Sequence, residues 1–142
     1  MTTARQLLDK KGHKVLSIGP DGTVFDAIKK MADNNVGSLV VLEAGNLVGI
    51  ITERHYARNV FLMGRSSPKT AVREIMSTRV VCARPEQTVE ECMAVMTDKA
   101  VRHLPVLEKK QLIGIVSIGD LVQNIISDQK FIIEQLEHYV SG

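Results

Sequence analysis

Aromatic side chains are scarce in this chain: tryptophan is absent, and Phe and Tyr together supply 4% of the residues. Few rings are available to stack on nucleobases, and a formal charge of only +2 gives no broad cationic field. A dedicated nucleic-acid surface is therefore not expected, although a local basic pocket for phosphates is compatible with this balance. No apolar run approaches the roughly 20 residues that span a bilayer. Residues 1–5 lead into no secretory apolar core, so a soluble cytoplasmic protein without membrane attachment is expected. Cysteine is limited to Cys82 and Cys92, whose spacing suits neither a metal site nor a redox pair; both fall on apolar faces and read as small core residues. No Gly-rich phosphate loop, metal-ligand cluster or activated nucleophile is recognisable, so neither an enzyme nor a catalytic cofactor is expected.

What the chain does have is an internal repeat. Its 142 residues are 44% hydrophobic and 24% charged, the balance of an ordinary globular protein. Shifting the sequence against itself by 65 residues brings Pro20 onto Pro85, Thr23-Val24 onto Thr88-Val89 and Met31 onto Met96. Val41-Leu42-Glu43 then falls on Val106-Leu107-Glu108, and Leu47, Gly49 and Ile50 fall on Leu112, Gly114 and Ile115. About a third of the aligned positions are identical, which indicates a tandem duplication too short for a solenoid and best read as two halves facing each other.

Each copy reads as β-α-β-β-α. In the first, Val15–Ile18 is a short strand, Val24, Ala27, Ile28 and Met31 recur at helical spacing behind a Thr23 or Asp21 cap, and Asn34-Asn35 and Gly37 end that helix. Ser38–Leu42 and Leu47–Thr52 flank Ala44-Gly45-Asn46 as a hairpin, followed by a helix from about Glu53 to Met63. The second copy repeats this with a strand at Val80–Ala83, a helix carrying Val89, Cys92, Met93 and Met96, and a hairpin turning at Lys109-Lys110. Ala4, Leu7 and Leu8 form one face of a leading helix that breaks near Gly12. Gly64 to Pro68 reads as the linker, with Val72–Met76 leading into the second copy. The expected partition is thus 1–66, leading helix and first copy, and 67–142, second copy with a C-terminal amphipathic helix. That last helix carries Phe131, Ile132, Leu136, Tyr139 and Val140, and its apolar stripe suits packing or a dimer contact.

The stretch Gly114-Ile115-Val116-Ser117-Ile118-Gly119-Asp120 runs from an apolar strand into the first turn of a helix. Backbone N–H groups there lack intrahelical partners and attract anions, and an ionised Asp120 can accept from two neighbouring hydroxyls, as on a ribose. Ser-x-x-Asp is equally a capping-box pattern, with Ser117 as the cap. Both readings stand on these seven residues.

Two β-α-β-β-α copies, His103-Leu104-Pro105-Val106 opening the second hairpin, Gly-Ile-Val-Ser-x-x-Asp closing it and Glu74-Ile75-Met76-Ser77 ahead of the second copy resemble a CBS-domain pair, over nearly the whole chain. The resemblance implies an α+β fold, a pseudo-two-fold pair with N- and C-terminal helices. It also implies a stand-alone regulatory module that binds an adenosine-containing ligand (AMP, ADP, ATP, NAD(H) or S-adenosylmethionine) in clefts between the copies and forms a flat homodimer. Carried onto this sequence, it puts the ribose on Asp120 with Ser117 nearby, the adenine in a slot of Val80 and Pro105 bordered by Thr78, and phosphates near Arg102 and His103. From the first copy it adds Thr52 and Arg54, with Arg54 near a phosphate; Arg54 could instead form a surface ion pair with Glu53 or a neighbour. His55 stands where the second copy has Asp120, and an imidazole cannot grip two ribose hydroxyls as a carboxylate does, so the first-copy site departs from the pattern. The expected function is a non-catalytic adenine-nucleotide sensor whose bound ligand is read by an effector protein or by the dimer; the alternative is a structural dimerisation module with vestigial pockets.

Overall fold

The computed structural model describes residues 1–141, with side chains as far as His138. Helices and strands mix, as expected, in two compact units: residues 14–80, and residues 1–13 together with the described residues from 81 onward.

In the unit of residues 14–80, strand β1 (Ser17–Ile18) pairs in parallel with β2 (Ser38–Glu43), which forms an antiparallel hairpin with β3 (Asn46–Thr52). Helix α2 (Val24–Asn34) starts at Thr23, whose hydroxyl accepts from Asp26 N–H at 3.1 Å, and stops at Asn35, which takes the left-handed conformation at φ 53°. Its buried face, Val24, Ala27 and Met31, packs with Leu39, Val41 and Ile51 of the hairpin. The expected helix over 53–63 is in fact α3 (Glu53–Tyr56) followed by a π turn, Ala57–Phe61, in which Leu62 N–H donates to Ala57 O. After a 3₁₀ turn at Ser67–Lys69 comes α4 (Val72–Ile75), whose Val72 and Ile75 complete this core.

In the other unit, α1 (Ala4–Lys11), α5 (Val89–Lys99), the hairpin of β4 (His103–Glu108) and β5 (Gln111–Ser117), and α6 (Ile118–Ser141) surround a core of Leu8, Cys92, Met96, Leu104, Val106, Val116 and Leu121. The two hairpins are built alike. Both turn through two residues at positive φ, Ala44-Gly45 and Lys109-Lys110, the geometry that matches the twist of the flanking strands. Each slips register at the corresponding place, Val41/Leu42 and Val106/Leu107.

Three features differ from the sequence expectation. The strand expected at Val80–Ala83 shrinks to one parallel bridge, Ala83 to Val106. In the first copy Val40 N–H donates to Leu16 O at 3.3 Å; Pro105 stands in the corresponding place and has no N–H to offer Val81, so the ladder cannot extend. The partition at 66/67 also differs. Helix α1 belongs with the second copy, where Ala4 N–H and Arg5 N–H donate to Gln87 O and Pro85 O and Val89 N–H donates to Thr2 O, while 70–77 belongs with the first, where Val24 N–H donates to Thr70 O. Each copy is thus completed by the segment that precedes the other copy in sequence. An added Cβ on Gly114 would lie 2.5 Å from Leu8 Cδ2 of α1, and one on the equivalent Gly49 would lie 2.9 Å from Ser77 O, so each hairpin has a glycine where its completing segment crosses. Finally, α6 is one continuous helix rather than a short helix plus a tail; Phe131, Ile132 and Leu136 of the predicted stripe are exposed, and Tyr139 and Val140 lie outside the described side chains.

Candidate functional site

Strand β5 ends at Ser117, and α6 begins at the next residue. Asp120 N–H donates to Ser117 Oγ at 3.2 Å, and Ser117 N–H donates to Asp120 Oδ2 at 2.8 Å, so the capping box is fully formed. A capping carboxylate at a helix N-terminus is held in one rotamer and stays ionised. Burial pushes the Asp120 carboxyl up, but the Lys11 ammonium and the Ser117 N–H outweigh it, and the net effect holds the group below its ordinary value.

Lys11 was not visible as a site residue in the sequence. It lies in the last turn of α1, 109 positions from Asp120, and its Nζ donates both to Asp120 Oδ2 at 2.6 Å and to Ile115 O at 2.9 Å. The pair is half-buried, with Lys11 and Asp120 side chains 35% and 23% exposed. Beside it a groove of about 240 Å³ runs between α1 and α6, lined by Lys10, Gln123, Asn124 and Ser127 as well as by the pair.

Around this turn the structure gathers several of the expected residues. His103 faces Ser117 across the hairpin, and Arg102 O accepts from Ile118 N–H at 2.9 Å, which ties the start of β4 to the start of α6. Burial pushes the His103 imidazole below its usual value; Asp120 opposes this, while Lys11 and Arg102 add to it, so the ring is neutral at pH 7. The Arg102 side chain is exposed and makes no ion pair among the described residues. Pro105, two residues further along β4, is buried and faces Ile115.

Thr52, Arg54, Thr78 and Val80 belong to the unit of residues 14–80. Thr52 caps α3 in the same way that Ser117 caps α6. His55 N–H donates to Thr52 Oγ1 at 3.2 Å, and His55 Nδ1 accepts from Thr52 N–H at 3.0 Å. An imidazole whose Nδ1 accepts carries its proton on Nε2, so this position presents a donor where Asp120 presents acceptors. Burial, then Arg54 and Arg58, push this ring below its ordinary value, which keeps it neutral. Arg54 is exposed and makes no ion pair with Glu53 among the described residues; Thr78 is exposed and Val80 half-buried.

Cys82 is half-buried and Cys92 buried, and burial pushes both thiols up, away from the thiolate. Among the described residues no group of three His, Cys, Asp or Glu is placed to hold a metal ion, and no helix is long and apolar enough to cross a membrane.

The family model of the CBS domain matches residues 5–61 and 72–127. CBS domain-containing protein CBSX3, mitochondrial, of Arabidopsis thaliana is 39% identical over 150 residues, covering 99% of this chain and 73% of that protein. Among solved structures, a protein with CBS domains from Burkholderia ambifaria MC40-6 superposes with a TM-score of 0.87 at 46% identity, over 90% of this chain and 96% of that one. The CBS domain pair of protein MJ0100, solved in complex with 5′-methylthioadenosine and S-adenosyl-L-methionine, shares the fold with a TM-score of 0.80 at 22% identity, over 90% of this chain and 98% of that one.

Proposed function

Because the chain belongs to the CBS-domain family, we propose that it is a regulatory module that binds an adenine nucleotide without turning it over, with Asp120 as the ribose acceptor. The observation that carries this reading is the geometry of Asp120: an ionised carboxylate, fixed by its own capping box in the first turn of α6, beside a groove with two lysines. A carboxylate offers about four lone-pair sites, enough to keep its cap and also take vicinal hydroxyls. Arg102, His103, Ser117 and Pro105 complete the second-copy set. The roles expected for Thr52, Arg54, Thr78 and Val80 belong to the same proposal. The MJ0100 pair, solved with 5′-methylthioadenosine and S-adenosyl-L-methionine, supports an adenosine-containing ligand; AMP, ADP, ATP and NAD(H) are candidates alongside them.

A thermal-shift screen with AMP, ATP, NADH and S-adenosylmethionine tests it. Ligand at 100 times its dissociation constant adds about 2.7 kcal/mol of stability, an easily read displacement of the melting temperature. No shift with any of the four would leave the structural dimerisation module as the better account. Homodimerisation is part of the proposal in either case: Val122, Ile126, Ile133 and Leu136 of α6 are 41%, 46%, 53% and 60% exposed at spacings of four, seven and three, a 3.5-residue seam suited to a second copy. Light scattering that returns the 15.7 kDa of one chain at micromolar concentration would count against it. The cytoplasm is the compartment in this reading, and subcellular fractionation checks it.

A further inference from the structure

We infer that Lys11 sets the charge selectivity of the Asp120 site, making it a receptor for adenosine derivatives with an anionic 5′ substituent in preference to neutral or cationic ones. This rests on Asp120 as the ribose acceptor. Asp120 Oδ2 already accepts from two donors, Ser117 N–H at 2.8 Å and Lys11 Nζ at 2.6 Å, which fills both of its lone-pair positions. Two vicinal ribose hydroxyls that chelate the carboxylate, one on each oxygen, compete for a position on Oδ2. The Ser117 bond is part of the helix cap and stays; the Lys11 bond is the one that yields.

What happens to the released ammonium decides the selectivity. Lys11 keeps its bond to Ile115 O, so it is held near the turn rather than freed into solvent. The groove it faces contains a second ammonium, Lys10, while among the described residues Asp120 is the one carboxylate in the lining. Gln123, Asn124 and Ser127 supply neutral polar groups and no compensating charge. A neutral nucleoside that takes Asp120 therefore leaves a half-buried cation without a counter-charge, and a sulfonium ligand adds another cation beside it. A 5′-phosphate restores the pairing through a charge-assisted bond to Lys11. The lysine thus acts as an internal competitor against adenosine and as a contact for a nucleotide.

The test is titration calorimetry of adenosine, AMP and S-adenosylmethionine against the wild-type chain, Lys11→Met, Lys11→Arg and Asp120→Asn, in low salt. Wild type should bind AMP at least about tenfold more tightly than adenosine, with S-adenosylmethionine weakest. Lys11→Met keeps the packing length and removes the charge; adenosine should then bind more tightly than to wild type, AMP no more tightly, and the ratio should collapse to within about threefold. Lys11→Arg should retain the preference and shows that the effect follows charge rather than a damaged α1. An AMP-to-adenosine ratio that is unchanged in Lys11→Met, or equal affinities in wild type, would overturn the inference. If that happens while Asp120→Asn still abolishes binding, the ribose reading survives alone. If none of the four chains binds any of the ligands, both readings fail.

Discussion

Gly114→Ala tests the placement of α1, on which the Lys11–Asp120 pair depends. A Cβ added at Gly114 would sit 2.5 and 2.7 Å from the two Cδ atoms of Leu8 and 3.1 Å from its Cγ. Carbon atoms are comfortable at about 3.5–4.0 Å, so the methyl arrives about an ångström too close. Leu8 is fully buried, and because Cγ is crowded along with both Cδ atoms, turning the isobutyl end relieves only part of the clash. Overpacking of this kind costs about 1–3 kcal/mol. Leu8→Ala alone leaves a cavity and should cost about 2–5 kcal/mol. The double variant removes the clash and fills some of the cavity, so its cost should fall at least about 1 kcal/mol short of the sum, well outside the 0.3–0.5 kcal/mol expected of independent sites. Gly119→Ala is the control: its Cβ would meet only Ser117 Oγ, at 3.6 Å. Inside a helix Ala is favoured over Gly by about 0.5–1 kcal/mol, so this variant should be stabilised. Urea unfolding at equilibrium measures all four. Gly114→Ala within about 0.5 kcal/mol of wild type, or an additive cycle, would mean that Leu8 does not press on β5 and that α1 sits elsewhere.

Ala100 ends α5 at φ 54°, where its repeat counterpart is Asn35; Ala100→Gly should raise stability by about 1 kcal/mol by thermal melting, since a Cβ in the left-handed region costs about 1–2 kcal/mol. Replacing Lys109-Lys110, at φ 50° and 66°, with Asn-Gly should stabilise the second hairpin by about 1 kcal/mol or more in the same assay. Because the folded-state pKa values of His55 and His103 are depressed, the unfolded chain binds more protons; their contribution is present above about pH 6.5 and is lost as pH falls through the folded values. His13 has the opposite sign: Asp9 and Ile113 O raise it, so its contribution is full below about pH 6.5 and fades as pH rises through its folded value. Urea midpoints at pH 5 and pH 7.5 should therefore differ less in His55→Asn, which keeps an acceptor for Thr52 N–H, than in wild type; an unchanged difference would mean that His55 does not titrate differently on folding.

The repeat made most of the fold legible, because period and punctuation agree within each copy. Both hairpins, α2 and α5 are readable from alternation, helical spacing and Thr caps, and an apolar run leading into Ser-x-x-Asp places Ser117 and Asp120 at the strand-to-helix turn where they are found. Two of the misses have local causes. The strand expected at Val80–Ala83 is cut short by Pro105, whose missing N–H shortens the ladder beside it; the repeat carries that signal, since Val40 holds the matching place. The π turn at Ala57–Phe61 leaves no mark in hydrophobic spacing. The other misses are tertiary. Nothing in the order of residues says that α1 completes the second copy and Val72–Ile75 the first, because both segments are short amphipathic pieces that fit either core. Lys11 followed from that: a lysine in the last turn of a leading helix looks like a solvated charge suited to the helix dipole until the helix is docked.

Titration calorimetry of AMP against the wild-type chain and Asp120→Ala tests the central claim most directly. With Asp120 as the ribose acceptor and His55 offering a donor in its place in the first copy, one strong site per chain is expected. The net loss of about 3 kcal/mol expected for the Asp120 bonds means that Asp120→Ala should bind roughly 100-fold more weakly, with His55→Ala close to wild type. A second strong site per chain, or an Asp120→Ala chain that binds as tightly as wild type, would show that the ribose is held elsewhere and that Ser117 and Asp120 serve only to cap α6.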